Sequence, residues 1–343
     1  MPFTDPLGEG GIAQTTLRLA AAWETTAAMR LRSPKLALAR RRFRAEGRQP
    51  APFVVGVSRS GTTLLRLMLD AHPQLAIPPE THFVPRVVNV CERLVAEGAS
   101  TAEVRAQALE AMTTHPRWGD IGLAEEDVRE LMESHDPLTP GDALRSFYEA
   151  YAAGEGKPRW GDKSPPYTWK SLRIQRALPE AHFIHIIRDG RDVALSLSEV
   201  SWGPDDVTVA AEKWVSELRR ARKRAKGLAR GTYMELRYED LVAEPEPVLR
   251  RVASFVDLPW DEAMLGYHRQ AGKRMSREMA RTLKTLGGGT ITAEERARQH
   301  ELVSRPPSSS RTGRWRTEMS PEDRAAFESV AGRLLKNLGY ELE

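Results

Sequence analysis

Two glycines five residues apart, Gly56 and Gly61, close the short apolar run that begins at Phe53 and precede an apolar segment that runs from Leu64 without a breaker before Pro73. Strand, tight loop and helix follow from that pattern. At this spacing glycines let backbone N–H groups converge on anionic oxygens, and the helix N-terminus adds positive potential. An anion is therefore expected on Ser60, Gly61, Thr62 and Thr63, with Arg59 as the cation inside the loop. The usual continuation, Gly-Lys-Ser/Thr, is replaced by Gly61-Thr62-Thr63, so the lysine that serves a γ-phosphate is missing. A second anion point lies downstream. The apolar run from His182 ends at Arg188, Asp189-Gly190 makes a sharp turn, and Val193, Leu197 and Val200 then recur at helical spacing. Arg188 at the strand's end and Ser196, two turns along the helix, can converge on one phosphate.

The elements that must position these groups are strands leading into turns and helices at about 53, 183 and 232. They imply an α/β fold with a mainly parallel sheet that binds its ligands beyond the carboxyl ends of the strands. On the phosphate loop alone the chain could be a P-loop nucleotide-dependent kinase or NTPase, or a catalytically inactive nucleotide-binding protein. Phosphoryl transfer leans on a lysine and Mg²⁺, and neither the loop lysine nor a clear strand-ending metal aspartate is present.

Arg59-Ser-Gly-Thr-Thr-Leu64, followed by Leu69-Asp-Ala-His-Pro73 and Glu80-Thr-His-Phe-Val-Pro-Arg86, resembles the 5′-phosphosulfate loop of sulfotransferases that use 3′-phosphoadenosine 5′-phosphosulfate (PAPS). The likeness is closest to the tyrosylprotein and heparan-type branches and is specific across residues 52 to 90. It implies a P-loop-containing sulfotransferase-like domain over 51–343, with a helical insertion at about 92–156 that selects the acceptor. It also implies roles. Glu80 stands where these branches carry the catalytic base, and a carboxylate suits an acceptor hydroxyl that must lose its proton as its oxygen attacks sulfur. His82 is the competing base. Lys163, in Lys163-Ser-Pro-Pro, matches the lysine that reaches the bridging oxygen of the leaving phosphate, where negative charge grows. The Arg188-Asp-Gly-Arg191 segment with Ser196 resembles the family's 3′-phosphate motif, and Tyr238 the tyrosine placed against the nucleotide. Arg311-Thr312-Gly313 resembles the closing Arg-Lys-Gly loop, with threonine in the lysine's place, which leaves Arg311 as the expected 3′-phosphate contact. PAPS is thus the implied sulfuryl donor, with Arg59, Glu80 and Lys163 as the catalytic set. The acceptor is a natural product, a glycolipid sugar or a tyrosyl peptide.

The 343 residues are 41% hydrophobic and 29% charged, the composition of a globular protein, and 51 Lys+Arg against 47 Asp+Glu leave a mild basic excess that suits a polyanionic small ligand. The basic run Arg219 to Lys226 has no aromatic interleaving or finger spacing, so it reads as a solvated helix face and no nucleic-acid partner is expected. The eight histidines show no HxxxH spacing, so no metal is expected. The one cysteine, Cys91, and a start without a basic or apolar leader point to the cytoplasm. Residues 1–50 read as an N-terminal helical extension. Its arginine-rich stretch, 12–46, packs on its own domain in the reading adopted here and leaves a peripheral membrane contact open.

Overall fold

The computed structural model describes residues 48–284 and 289–343. The expected extension, except residues 48–50, and residues 286–288 of the Leu286-Gly-Gly-Gly-Thr290 segment, which the sequence reads as a flexible hinge or turn, lie outside the described residues.

A four-stranded parallel sheet carries the molecule, in the order β4 (Asp162–Lys163), β1 (Ala51–Gly56), β5 (Ala181–Ile187), β6 (Tyr233–Arg237). All six residues of β1 are buried, because helices cover both faces of the sheet, and such strands read as continuous apolar runs. Alternation decides which layer each residue joins. Phe53, Val55 and Phe183 face one layer, while Val54, Ile184 and Ile186 face the other. Phe53 is fully buried and meets Tyr148, Trp160 and Phe183 at ring-centroid distances of 6.2, 6.5 and 5.5 Å, so truncating it would cost about 3–5 kcal/mol. A two-residue parallel pair, β2 (Leu75–Ala76) with β3 (Arg159–Trp160), forms a second, separate sheet.

From β1 the chain turns into helix α1 (Thr62–Asp70) and then into a helical layer, α2 (Val84–Glu97), α3 (Thr101–Thr113), α4 (Glu125–Glu133) and α5 (Pro140–Gly154), before returning to β4. The first helix of this layer begins at Val84, ahead of the 92 from which a helical pattern was expected. Val84, Val87, Val88, Cys91 and Leu94 form one buried stripe at helical spacing, and Pro85 stands in the first turn, where its missing N–H costs nothing. Helix α5 starts on a reciprocal cap between Thr139 and Asp142, with Pro140 in its first turn. Cys91 is buried, and burial pushes its thiol up to about 12.

Beyond β5, α6 (Gly190–Ser198) and the long α7 (Val207–Ala225) lead back to β6. Helix α8 (His268–Glu278) packs behind α1, and the C-terminal α9 (Pro321–Asn337) lies along α7, where Trp214, Phe327 and Trp315 share one buried cluster.

Candidate active site

Gly61 ends the loop after β1 and caps α1 without a side-chain acceptor, so the first-turn N–H groups of α1 are left open to an anion. Its φ is +94°, and a Cβ there would stand 2.4 Å from the Tyr238 ring, so both conformation and space demand glycine. Ser60 is fully buried, and its Oγ has no hydrogen-bond partner among the described residues, which is rare for a buried hydroxyl. The loop thus offers a serine hydroxyl and helix N–H groups to one anion, a donor set that fits the phosphosulfate of PAPS.

Arg59 holds a left-handed φ of 71°, which sends its guanidinium across to α6, where Nε donates to Ser196 Oγ at 3.0 Å. Its carbonyl accepts from Arg188 Nη1 at 3.0 Å, while Arg188 Nη2 donates to the Arg311 carbonyl at 2.5 Å. The Arg188 guanidinium lies 4.9 Å from the Tyr238 ring centroid, and its buried Nε has no hydrogen-bond partner among the described residues. Arg59, Ser196, Arg188, Tyr238 and the backbone of Arg311 are therefore brought to one corner; the sequence placed Arg188 and Ser196 together, whereas it assigned Arg59 to the anion of the phosphate loop, and the structure turns that guanidinium to Ser196 instead. Arg311's own guanidinium is turned elsewhere, onto Glu199 at 2.9 and 3.3 Å, with Arg314 on the same carboxylate at 2.7 Å. Thr312 bonds back to the Ser309 carbonyl, and the Gly313 N–H, at a φ of 69°, donates to Asp192 Oδ2 at 2.7 Å.

On the other side of the phosphate loop, β4 pairs with β1 in the register Val54–Lys163, which aims Lys163 at α1. Lys163 Nζ donates to Glu80 Oε1 at 2.7 Å and lies 3.4 Å from Thr63 Oγ1. Glu80 Oε2 stands 3.0 Å from His82 Nε2 and 3.3 Å from Arg117 Nη2. Burial opposes ionisation of Glu80, but Lys163 first, then Arg117 and His82, outweigh it and hold the carboxyl well below the usual carboxylate range. For Lys163 burial wins, lowering its pKa despite the partner carboxylate.

The pair is braced from behind. Asp162, fully buried, accepts from Thr81 Oγ1 at 2.8 Å and from the Tyr148 hydroxyl at 2.9 Å. Tyr167 bonds Thr81 at 2.8 Å, and its hydroxyl accepts the Val84 N–H at 3.1 Å. Because Thr81 follows Glu80 and Asp162 precedes Lys163, this buried knot fixes the backbone of both chemistry-bearing residues. The sequence reading missed Arg117, Asp162, Thr81, Tyr148 and Tyr167. Adjacency to Glu80 and Lys163 could have flagged Thr81 and Asp162, whereas no local signal marks Arg117, which reaches the site from the inserted helical layer. Among the described residues no group of three or more His, Cys, Asp or Glu side chains gathers as a metal site, and no helix is long and apolar enough to cross a membrane.

The sequence model described as the Sulfotransferase family matches residues 50–262. Among curated proteins, the chain is 26% identical over 300 residues to protein-tyrosine sulfotransferase A of Caenorhabditis elegans, covering 85% of this chain and 67% of that protein. It is 25% identical over 300 residues to human protein-tyrosine sulfotransferase 1, covering 85% and 70%. Among solved structures it is similar in fold to a sulfotransferase domain from a Synechococcus olefin synthase, with a TM-score of 0.57 and 22% identity over 88% of this chain and 99% of that one. A sulfotransferase domain from the curacin biosynthetic pathway is similar at a TM-score of 0.55 and 24% identity, over 87% and 100%. The cytoplasmic placement is overturned by this kinship: the curated relatives are protein-tyrosine sulfotransferases, which are not enzymes of the cytoplasm, and one cysteine is too thin a ground to set against them. With its α/β fold, its phosphate loop and its tyrosylprotein-type likeness, the chain belongs to the sulfotransferase family and is a PAPS-dependent enzyme.

Proposed function

We propose that this enzyme moves the sulfuryl group of PAPS to the phenolic hydroxyl of a tyrosyl residue in a polypeptide. The carrying observation is the Glu80–Lys163 contact of 2.7 Å beside Thr63, which sets a carboxylate base and a leaving-group cation together at the mouth of the phosphate loop. A protein that only bound nucleotide would need neither. The tyrosyl acceptor is chosen over a sugar or natural product because the curated relatives are protein-tyrosine sulfotransferases.

In the proposed step the acceptor oxygen attacks sulfur as the S–O bond to the 5′-phosphate breaks in line. The bonding pair leaves with that oxygen, and the phenolic proton passes to Glu80. Ser60 and the α1 N–H groups would hold the phosphosulfate. Arg188, Ser196 and the Arg311 loop would hold the 3′-phosphate, with Arg59 between the two ends and Tyr238 against the nucleotide. In the resting site Lys163 is spent on Glu80. As the bridging oxygen becomes anionic, Lys163 is drawn to it, and Glu80 then loses its strongest stabilising cation and gains proton affinity. Proton acceptance and leaving-group stabilisation are thereby coupled through one ion pair, and both act most in the transition state.

The test is mass spectrometry of products from PAPS and a panel of tyrosyl peptides, simple phenols and sugars. A peptide gaining one sulfuryl group on tyrosine, with activity retained in excess EDTA, is expected. Transfer confined to sugars would overturn the acceptor, and an EDTA-sensitive activity that consumes ATP would overturn the reaction.

A further inference from the structure

Glu199 ends α6 one turn beyond Ser196, and its carboxylate is held by Arg311 at 2.9 and 3.3 Å and by Arg314 at 2.7 Å. Its charge also acts on Arg59, whose guanidinium is bonded to Ser196. A carboxylate therefore stands in the corner where Arg59, Ser196, Arg188 and the Arg311 loop meet. Nothing in the reaction calls for a negative charge there.

The backbone and the side chains of this loop are secured differently. Gly313 and Trp315 donate their N–H groups to Asp192 at 2.7 and 3.0 Å, and the Arg311 carbonyl accepts from Arg188, so the main chain is fixed from buried residues. Among the described residues the Arg311 guanidinium, by contrast, pairs with Glu199 alone, at a side-chain exposure of 35%, with Glu199 at 36%. A half-exposed ion pair is worth little and is easily exchanged. A dianionic phosphate with three acceptor oxygens outcompetes a single carboxylate for the same guanidinium.

We infer that Glu199 stands in for the donor's 3′-phosphate: it holds Arg311 and Arg314 in the free enzyme, yields Arg311 when the 3′-phosphorylated nucleotide binds, and takes it back as the product departs. This rests on the PAPS reading of the donor site. Glu199 thereby weakens donor and product alike and speeds release of 3′-phosphoadenosine 5′-phosphate (PAP). A nucleotide without the 3′-phosphate leaves the Glu199 pairs untouched and gains nothing from their removal.

Calorimetric titration of wild type and Glu199→Gln with PAP and with adenosine 5′-phosphosulfate tests this without knowledge of the acceptor. PAP is expected to bind the variant more tightly, by up to about fivefold, the most an exposed pair of up to ~1 kcal/mol represents, and to leave it correspondingly more slowly. Adenosine 5′-phosphosulfate should change less than about twofold, because no contact of its own is altered. Unchanged or weaker PAP binding by the variant overturns the inference and makes Glu199 a support for the loop, and equal tightening of both nucleotides overturns it in favour of a general charge effect. Wild-type protein that fails to distinguish the two nucleotides would instead overturn the donor reading, and the inference with it. An unchanged melting temperature confirms that the partly exposed substitution leaves the fold intact.

Discussion

Glutamine at position 80 keeps the volume and one acceptor oxygen of the glutamate but removes the charge on which Lys163, Arg117 and His82 converge at 2.7, 3.3 and 3.0 Å. Two effects separate. Loss of a positioned base is worth about 10²–10⁴-fold in rate, or roughly 2.7–5.5 kcal/mol on the barrier at ~1.36 kcal/mol per decade. Stability falls less. Breaking a fully buried ion pair costs about 3–5 kcal/mol, but Glu80 keeps 20% of its side chain exposed while Lys163 keeps 5%, so about 1–3 kcal/mol is the expected loss. In a chain of 343 residues, at about 1.4 °C per kcal/mol, that lowers the melting temperature by only about 1–4 °C. Donor affinity should hold or tighten, since Lys163 is released toward the bridging oxygen. Turnover of a sulfated peptide followed by mass spectrometry, with PAP titrated in parallel, reads both. A kcat within tenfold of wild type, together with an inactive His82→Ala, would refute the assignment and move the base to His82.

Four further outcomes follow from the same geometry. Lys163→Met should lower kcat by at least about a hundredfold while PAP affinity stays within a few-fold, because the charge matters once the bridging oxygen is anionic; parallel loss of both would place Lys163 in ground-state binding. Arg188→Ala should cost about 1.5–3 kcal/mol in PAP affinity and erase discrimination against adenosine 5′-phosphosulfate, and equal weakening of both ligands by calorimetry would contradict this. Gly61→Ala must leave the left-handed region and move the Tyr238 ring, so nucleotide binding should fall by more than about tenfold; retained affinity would show that the loop adapts. Arg117→Gln removes one of the cations that hold Glu80 ionised, so the folded-state pKa rises and the acidic limb of kcat/KM moves to higher pH, a limb that stays in place if Arg117 serves only packing.

The parallel sheet was legible because strands buried on both faces carry their own signature. Phe53 to Gly56 and Phe183 to Ile187 are apolar runs closed by turns, and both are central strands. The insertion was legible only as helical composition. The helices of this stretch begin at Val84, ahead of the expected 92, because the turn at Ile77-Pro-Pro-Glu80 carries no mark of where it ends. The phosphate loop after Gly56 and the Arg188-to-Ser196 turn were legible because each lies within one strand–turn–helix unit, where spacing is geometry, whereas the approach of Arg59 and the Arg311 loop to Ser196 and Arg188 crosses more than a hundred positions. Arg117 and Asp162 were not legible. Arg117 meets Glu80 across 37 positions, and Asp162 meets Thr81 across 81. Contacts of that kind depend on how layers stack, which no local pattern encodes.

Backbone strain marks the chemistry more sharply than composition does. Three non-glycine residues take a positive φ among those described: Arg59 at 71°, His82 at 51° and Asp257 at 48°. Asp257 has an ordinary cause. It follows the C-cap of the helix Pro245–Phe255, with Leu258 N–H bonded to the Ala253 carbonyl and Asp257 N–H to that of Ser254, the usual left-handed ending of a helix. Arg59 and His82 have no helix end to account for them, and conformations of this kind cost about 1–3 kcal/mol each. Arg59 lies inside the phosphate loop, and the strain turns its side chain to Ser196 and its carbonyl to Arg188. His82 follows the Glu80–Thr81 step, where one residue must face Lys163 and the next must face Asp162. Both distortions stand beside residues given chemical roles, and polar contacts hold each in place, those of Arg59 to Ser196 and Arg188 and those of Glu80 and Thr81 on either side of the step before His82. A local rule is broken twice where the donor and the base must be aimed, and the one further exception is explained by capping.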